Sequence, residues 1–231
     1  MSFIESVIGF LAPDECLICR REGALLCAMC LSQLPAARGY CFGCYKRLPQ
    51  GVACTDCCRA AGCASIAAAA HYDGAARHLV ANLKFRGNQA AARLMAACMA
   101  PDYEPAAGPV LVTNVPATTA HIRQRGFDQA ELIARQTARN MRLPYARLLR
   151  RLGGSHQLGA DRTVRHEQLK GVVIAQKARR IAGARILLID DVLTTGASIQ
   201  ASAAALRRAG AAQVDALVFA QAIKNPPSRR V

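Results

Sequence analysis

The stretch that decides the fold is Ile186-Leu187-Leu188-Ile189-Asp190-Asp191-Val192-Leu193-Thr194-Thr195-Gly196-Ala197-Ser198. Four apolar residues, Ile186–Ile189, read as a buried strand that ends in two carboxylates. A loop of small hydroxyl residues and glycine follows. The periodic run Ala197–Ala209 then reads as a helix with Ile199, Ala203 and Leu206 inward, stopped by Gly210. Ligands of open α/β sheets sit beyond the carboxyl ends of the strands. The amides and positive dipole end of a helix N-terminus receive a phosphate. Gly196 lets backbone approach that phosphate closely, and Thr194, Thr195 and Ser198 add hydroxyl donors. Asp190 and Asp191 can accept hydrogen bonds from ribose hydroxyls, directly or through metal-bound water. The bland alternative is an ordinary strand–cap–helix junction with Thr195 as cap. Two adjacent acids at the tip of a buried strand argue against it, because charge there costs free energy unless it is used.

Working outward, the same rhythm surrounds this segment. Val110–Val115 is a short apolar run halted by Pro116. Phe127–Met141 carries apolar residues at helical spacing, Leu143–Leu149 reads as a strand interrupted by polar residues, and Val214–Ala220 as the next strand. Upstream, Ser65–Tyr72 reads as a strand, and Ala75–Phe85 and Gln89–Met99 as helices; Pro101–Pro109 is a linker. Alternating strands and helices imply a mainly parallel sheet with right-handed crossovers. Arg150–Lys170 is polar and basic with weak periodicity, as in a mobile functional loop. The tail Asn225–Val231 reads as frayed.

The N-terminal quarter is different. Four CxxC pairs follow one another: Cys16/Cys19, Cys27/Cys30, Cys41/Cys44 and Cys54/Cys57. Two residues between cysteines let both sulfurs face one point, and two such knuckles complete a tetrahedral thiolate site. Four knuckles imply two structural zinc ions; an iron–sulfur cluster is the lesser alternative. Sequential pairing, which closes shorter loops, is preferred over a cross-braced one. Cys58 could substitute for Cys57, and Cys63 and Cys98 read as small buried side chains. The head has few large apolar residues, so metal must supply much of its stability. We divide the chain into an N-terminal helix and double zinc-ribbon head (1–62), a phosphate-binding α/β domain (63–225) and a tail (226–231).

Hydrophobic residues make up 52% of the 231, which excludes a disordered chain. The net charge of +15 favours polyanionic or phosphorylated partners, or else reflects an Arg-rich solvated surface. Aromatic residues total 5%, which weakens any model of bases stacked along an aromatic platform. No run is long enough for a membrane span. Met1–Ala12 lacks a positive n-region and reads as a short amphipathic helix that docks on the body, so a cytoplasmic location without stable membrane insertion is expected.

The Asp-Asp-Val-Leu-Thr-Thr-Gly segment resembles the phosphoribosyl pyrophosphate (PRPP) signature of type I phosphoribosyltransferases. That resemblance implies a type I phosphoribosyltransferase-like parallel sheet with helices on both faces. It implies that Asp190 and Asp191 bind the ribose hydroxyls of PRPP, that Thr194, Thr195, Gly196, Ala197 and Ser198 cradle its 5′-phosphate, and that Mg²⁺ holds the pyrophosphate. Four CxxC knuckles, then Leu83-Lys84-Phe85-Arg86-Gly87, Val115-Pro116, Arg125-Gly126-Phe127-Asp128-Gln129 and the acidic loop, together resemble the ComF family over nearly the whole chain. That family includes ComFC-like competence proteins and GntX-like proteins linked to DNA uptake and use. Thr113-Asn114-Val115-Pro116 stands where members usually show Val-Pro-Val-Pro, and Asp128 where they usually show Asn. Gln157–Val173 resembles a further family region, with Arg165 and Gly171 matching and Gln168 in place of Asn.

By the same resemblance, Pro116–Gln129 is a pyrophosphate-side loop leading into a helix. Arg125 would stabilise the leaving group, with Arg123 as a further phosphate contact and Lys84 and Arg86 as weaker candidates. The histidines His71, His78, His121, His156 and His166 show no ligand spacing and read as incidental. Three functions compete. One is a ComF-type protein, with phosphoribosyltransferase turnover left open, that supports uptake or use of single-stranded DNA. Another is a non-catalytic adaptor whose zinc head and basic surface bind single-stranded nucleic acid or an uptake helicase. The third is a nucleotide-salvage phosphoribosyltransferase.

Overall fold

The computed structural model describes residues 14–34, 36–103, 109–152 and 172–222. The N-terminal helix, most of the polar segment after Arg150 with His156 and His166, and the Asn225–Val231 tail lie outside the described residues.

The sheet has four strands: β1 Ser65–His71, β2 Val110–Asn114, β5 Arg185–Leu193 and β6 Gln213–Gln221. Their order is β1-β6-β5-β2 and every pairing is parallel. The two central strands are the most apolar, as burial on both faces requires. In β5, residues Ile186–Ile189 are fully buried, and in β6 Val214 and Leu217–Ala220 are too.

Helices cover both faces, as the resemblance implied. On one face lie α3 Gly74–Arg86, α4 Ala90–Met99 and α6 Gln129–Asn140. Their Leu79, Leu83, Met95, Met99 and Ile133 pack on Leu187, Ile189, Leu217 and Phe219. On the other lies α8 Ala197–Arg208, whose Ile199, Ala203 and Leu206 pack on Ile186, Leu188, Val214 and Ala216. Burying each such side chain contributes about 1.5–3 kcal/mol. Asp73 caps α3 by accepting from Gly74 N at 2.7 Å, and Gly87 ends it with φ 64°. A short antiparallel ribbon, β3 Leu149–Arg151 with β4 Val173–Ala175, and a turn of helix, α7 Ala178–Ile181, complete the domain.

Among the described residues, the head contributes two short helices, α1 Ala28–Ser32 and α2 Thr55–Ala60. It joins the domain through packing. Cys41, Phe42, Val52, Cys58 and Cys63 share one buried cluster with Leu193, Ile199 and Ala203. A bridge from Ala36 to Ala70 covers the outer edge of β1, leaving less of that edge open to other chains.

Three local expectations are corrected. Leu143–Leu149 is not a strand: Tyr145 makes an isolated bridge to Val112, and the ladder begins only at Leu149. Pro144, which lacks an amide donor, explains the break. The supposed loop Pro116–Gln129 contains a helix, α5 Thr119–Arg125, capped by Thr118 Oγ1 accepting from His121 N at 3.2 Å and ended by Gly126 at φ 80°. Finally, β5 does not stop at Ile189. It continues to Leu193, held by β6 alone, because its pairing with β2 ends at Asn114.

Candidate functional site

The early end of β2 opens a crevice beside β5. After β2 the chain passes to α6 on one face of the sheet; after β5 it passes to α8 on the other. Such a switch point is where an open parallel sheet leaves room for a ligand. A cavity of about 370 Å³ occupies this place. Asp190, Asp191, Thr194 and Ser198 line one side; Val115–Thr118 and His121 line the other.

The acids are thus inside a strand and alternate in direction. Asp191, 6% exposed, is met by Lys84 from α3, with Nζ 2.9 Å from Oδ2 in an ion pair that lacks hydrogen-bond alignment. Lys84 therefore neutralises Asp191, one member of the acidic pair. Asp190 is less covered as a residue, but Oδ1 accepts from the amide of Asp191 at 2.9 Å. Burial first, and the charge of Asp191 second, push the Asp190 carboxyl well above its ordinary range; Lys84 opposes the shift.

At the other end, α8 starts at Ala197 after Gly196 at φ 76°, with no side-chain cap. Thr195 Oγ1 accepts from Ala197 N only at 3.4 Å. The first turn of a twelve-residue helix is left without a strong cap beside the cavity. Gly196 has a steric reason beyond the one expected. A Cβ there would fall 2.5 Å from Phe42 Cε2, so the ring of the head occupies the side-chain side of the loop.

Asp128 organises the opposite wall. It accepts from Ala117 N at 3.1 Å, Asn114 Nδ2 at 3.3 Å and Glu131 N at 3.2 Å, tying the end of β2 to the turn at Ala117 and the start of α6. Tyr145 donates to Asn114 Oδ1 at 2.8 Å. Burial raises the Asp128 carboxyl against the lowering effect of the amides. Two of the residues that depart from the usual family pattern, Asn114 and Asp128, are therefore bonded to each other.

The basic residues divide. Lys84 lines the main cavity. Arg125 lines a neighbouring cavity of about 200 Å³ with Lys84, Phe85 and Phe127, its guanidinium carbon 5.8 Å from the Phe85 ring centre. Arg123 is exposed and lines neither of these two cavities. Arg151, not singled out from the sequence, lines the main cavity and donates from Nη2 to Ser198 Oγ at 3.2 Å, with its Nε buried and unpartnered. No linear motif marks Arg151; only the β3–β4 ribbon brings it to the start of α8. His121, Tyr72 and Gln129 also line the cavity, and Gln129 is buried with Oε1 unpartnered.

The cysteines form two groups, Cys16, Cys19, Cys27 and Cys30, and Cys41, Cys44, Cys54 and Cys57, with the sulfurs of each within 4.8 Å of one another. This is the sequential grouping, and four convergent thiols suit zinc. Gly43 is part of the cradle: a Cβ there would meet Cys57 Sγ at 2.8 Å. Burial pushes the Cys16 and Cys41 thiols up, but surrounding amides outweigh it and bring each down to about 6, whereas burial pushes Cys30 of the first group up to about 12 and raises Cys57 of the second. Cys58 lies outside the second group and is buried, as is Cys63.

Residues 122–230 match the phosphoribosyl transferase domain. A 113-residue stretch, 47% of the chain, is 28% identical to Competence protein F of Haemophilus influenzae (strain ATCC 51907 / DSM 11121 / KW20 / Rd), and covers about half (49%) of that protein. Two solved structures are similar over 56% of the chain. One is a glutamine phosphoribosylpyrophosphate amidotransferase from B. subtilis complexed with ADP and GMP (19% identity, 26% of that chain, TM-score 0.41). The other is an allosteric regulatory enzyme of purine biosynthesis (23% identity, 25% of that chain, TM-score 0.39). With a parallel sheet, an acidic strand running into a weakly capped helix, and two four-cysteine clusters ahead of them, the chain carries a region that matches the phosphoribosyl transferase domain and is similar to Competence protein F over about half its length.

Proposed function

We propose that the main cavity binds the ribose 5-phosphate part of PRPP, and that the protein uses this site in the handling of single-stranded DNA during competence. One observation carries the reading: a carboxylate pair and an uncapped helix N-terminus with its hydroxyl-lined loop face the same 370 Å³ cavity. The 5-phosphate goes to the Thr194–Ser198 loop, where Ser198 and Arg151 add a hydroxyl and a guanidinium. The ribose diol goes to Asp190 and Asp191.

The pyrophosphate faces the Val115–Thr118 wall. Mg²⁺, a hard ion that prefers phosphate oxygens, would travel with the pyrophosphate and neutralise it. In turnover, the C1–oxygen bond breaks as pyrophosphate departs with the electron pair, and a nucleophilic acceptor atom bonds to the oxocarbenium-like C1 and gives up its proton. Asp190 and Asp191 hold the sugar while this charge develops. Arg125, which lines the neighbouring cavity beside Lys84, would meet the leaving group only by turning its side chain from the Phe85 ring toward the main cavity.

Calorimetry with ribose 5-phosphate, and with PRPP and Mg²⁺, tests the assignment. Binding is expected for the wild type and its loss for Asp190→Asn. Wild-type protein that takes up neither ligand defeats it. The DNA role rests on the net charge of +15 and on the name of the H. influenzae relative. It predicts affinity for single strands that falls steeply with salt. If PRPP leaves that affinity unchanged, and PRPP itself does not bind, the protein is a basic adaptor. Pyrophosphate release with a free purine or pyrimidine would instead mark a salvage enzyme.

A further inference from the structure

The head and the phosphate loop meet at one point, and the contact is tight. Phe42 lies between two thiols of the second cluster, Cys41 and Cys44. Its amide donates to Val52 O at 2.8 Å, Cys41 N donates to Lys46 O at 2.9 Å, and Tyr45 N to Cys41 O at 3.0 Å, so the knuckle backbone holds the residue in place. The ring is 9% exposed and packs in the same cluster as Leu193 and Ile199, the residues that bracket the loop. Its edge fills the space a side chain at position 196 would need, at 2.5, 3.2 and 3.3 Å from the ideal Cβ. Two more bonds fasten the rim of the knuckle to the domain: Gln221 Nε2 donates to Tyr40 O at 3.2 Å, and Gln200 Nε2, from α8, to Ala60 O at 3.1 Å.

The first cluster is anchored elsewhere. Asn82 on α3 donates to Leu17 O at 3.1 Å, and Leu17 packs in the cluster on the opposite face of the sheet. The two cysteine sites are therefore unequal with respect to the ligand loop.

We propose that Phe42 is a positioning residue for the Thr194–Ser198 loop, through which metal in the Cys41/Cys44/Cys54/Cys57 site raises affinity for the phosphorylated ligand. This rests on the loop being the phosphate site. Metal closes the knuckle; the knuckle fixes the ring; the ring supports the left-handed turn at Gly196 from behind, leaving its other side for the phosphate. Without metal the four thiols no longer share a centre and the ring loses its base, so the loop must be ordered by the ligand itself, which lowers affinity.

The experiment compares wild type with Phe42→Ala, Cys44→Ser and Cys19→Ser, reading zinc content, ribose 5-phosphate affinity, and hydrogen exchange at the Ala197 and Ser198 amides without ligand. Phe42→Ala should keep both zinc ions, weaken binding by at least about fivefold, the lower range of site-to-site coupling, and speed exchange at both amides. Cys44→Ser should lose one zinc and do the same. Cys19→Ser should lose one zinc while affinity and exchange stay within about twofold of wild type, below that coupling range. The proposal is overturned if Phe42→Ala, folded and loaded with zinc, matches wild type in both readings, or if Cys19→Ser weakens binding as much as Cys44→Ser. Should Cys44→Ser fail to fold, Phe42→Ala decides alone. Wild type that does not bind ribose 5-phosphate overturns the phosphate reading, and the affinity claim with it; the exchange result reports separately on whether the ring orders the loop.

Discussion

Replacing Lys84 by methionine removes the one cation paired with Asp191 among the described residues and leaves that carboxylate buried beside Asp190. The pair is 2.9 Å apart, with side chains 20% and 8% exposed. At that distance the gross attraction is about 6 kcal/mol for an effective dielectric near 20. Desolvation cancels part of it, and breaking one side of a buried pair typically costs about 3–5 kcal/mol. Lys84 borders two cavities and keeps some water, so the low end, about 3 kcal/mol, is expected. For a chain of this size that lowers the thermal midpoint by about 6–12 °C. The assay is guanidinium unfolding of wild type, Lys84→Met, Asp191→Asn and the double variant. The double variant removes both partners and should recover most of the loss, since the Asp191 charge goes with its cation and Asp190 is relieved of its like-charged neighbour. A Lys84→Met protein as stable as wild type, or a double variant no better than the single, refutes the view that Lys84 exists to neutralise Asp191.

Asp190→Asn should stabilise the ligand-free protein while destroying ribose 5-phosphate binding. Because the folded-state carboxyl is raised by burial and Asp191, its contribution is intact below the unfolded value near 4 and is lost as pH rises through the raised value. The gain from Asn should therefore grow with pH across that window and then level off; a gain that shrinks with pH contradicts the assignment. Arg151→Ala should weaken ribose 5-phosphate by about tenfold or more, as a charge-assisted bond is worth about 1.5–3 kcal/mol. Arg151→Lys should recover only part of this, because an ammonium lacks the guanidinium fork; titration calorimetry reads both. Protein purified without chelator should hold one zinc per four-cysteine cluster, two in all, by elemental analysis. Stripping them should lower the thermal midpoint, since the head has little core of its own.

Much of this was legible because the decisive segments are local. A strand, two acids, a hydroxyl loop and a helix are contiguous, so the order of residues alone displays them. The CxxC spacing likewise puts each pair of sulfurs on one knuckle before any tertiary contact forms. The strand boundary was misplaced because charge was taken to end the strand. In fact β5 runs on to Leu193: one of its acids is paired by Lys84, more than a hundred positions away, and the other is raised toward its neutral form. The helix α5 was missed because its residues, Thr119 to Arg125, show no buried apolar stripe; none of them is buried. Arg151 was invisible for a related reason, since its place depends on where a three-residue ribbon docks.

Gly196 shows how a correct residue can be read for an incomplete reason. Sequence reasoning assigned its missing side chain to the approach of a phosphate. The positive φ and the ring of Phe42 each demand glycine independently of any ligand. A loop backed by a rigid ring spends less conformational entropy on binding than one ordered by its ligand. The cysteine head is then more than an appendage stabilised by metal. It supplies the back wall of the Thr194–Ser198 loop and covers the edge of β1 through Ala36. A chain with the acidic loop but without the second knuckle would need another bulky group behind Gly196 to hold the same turn.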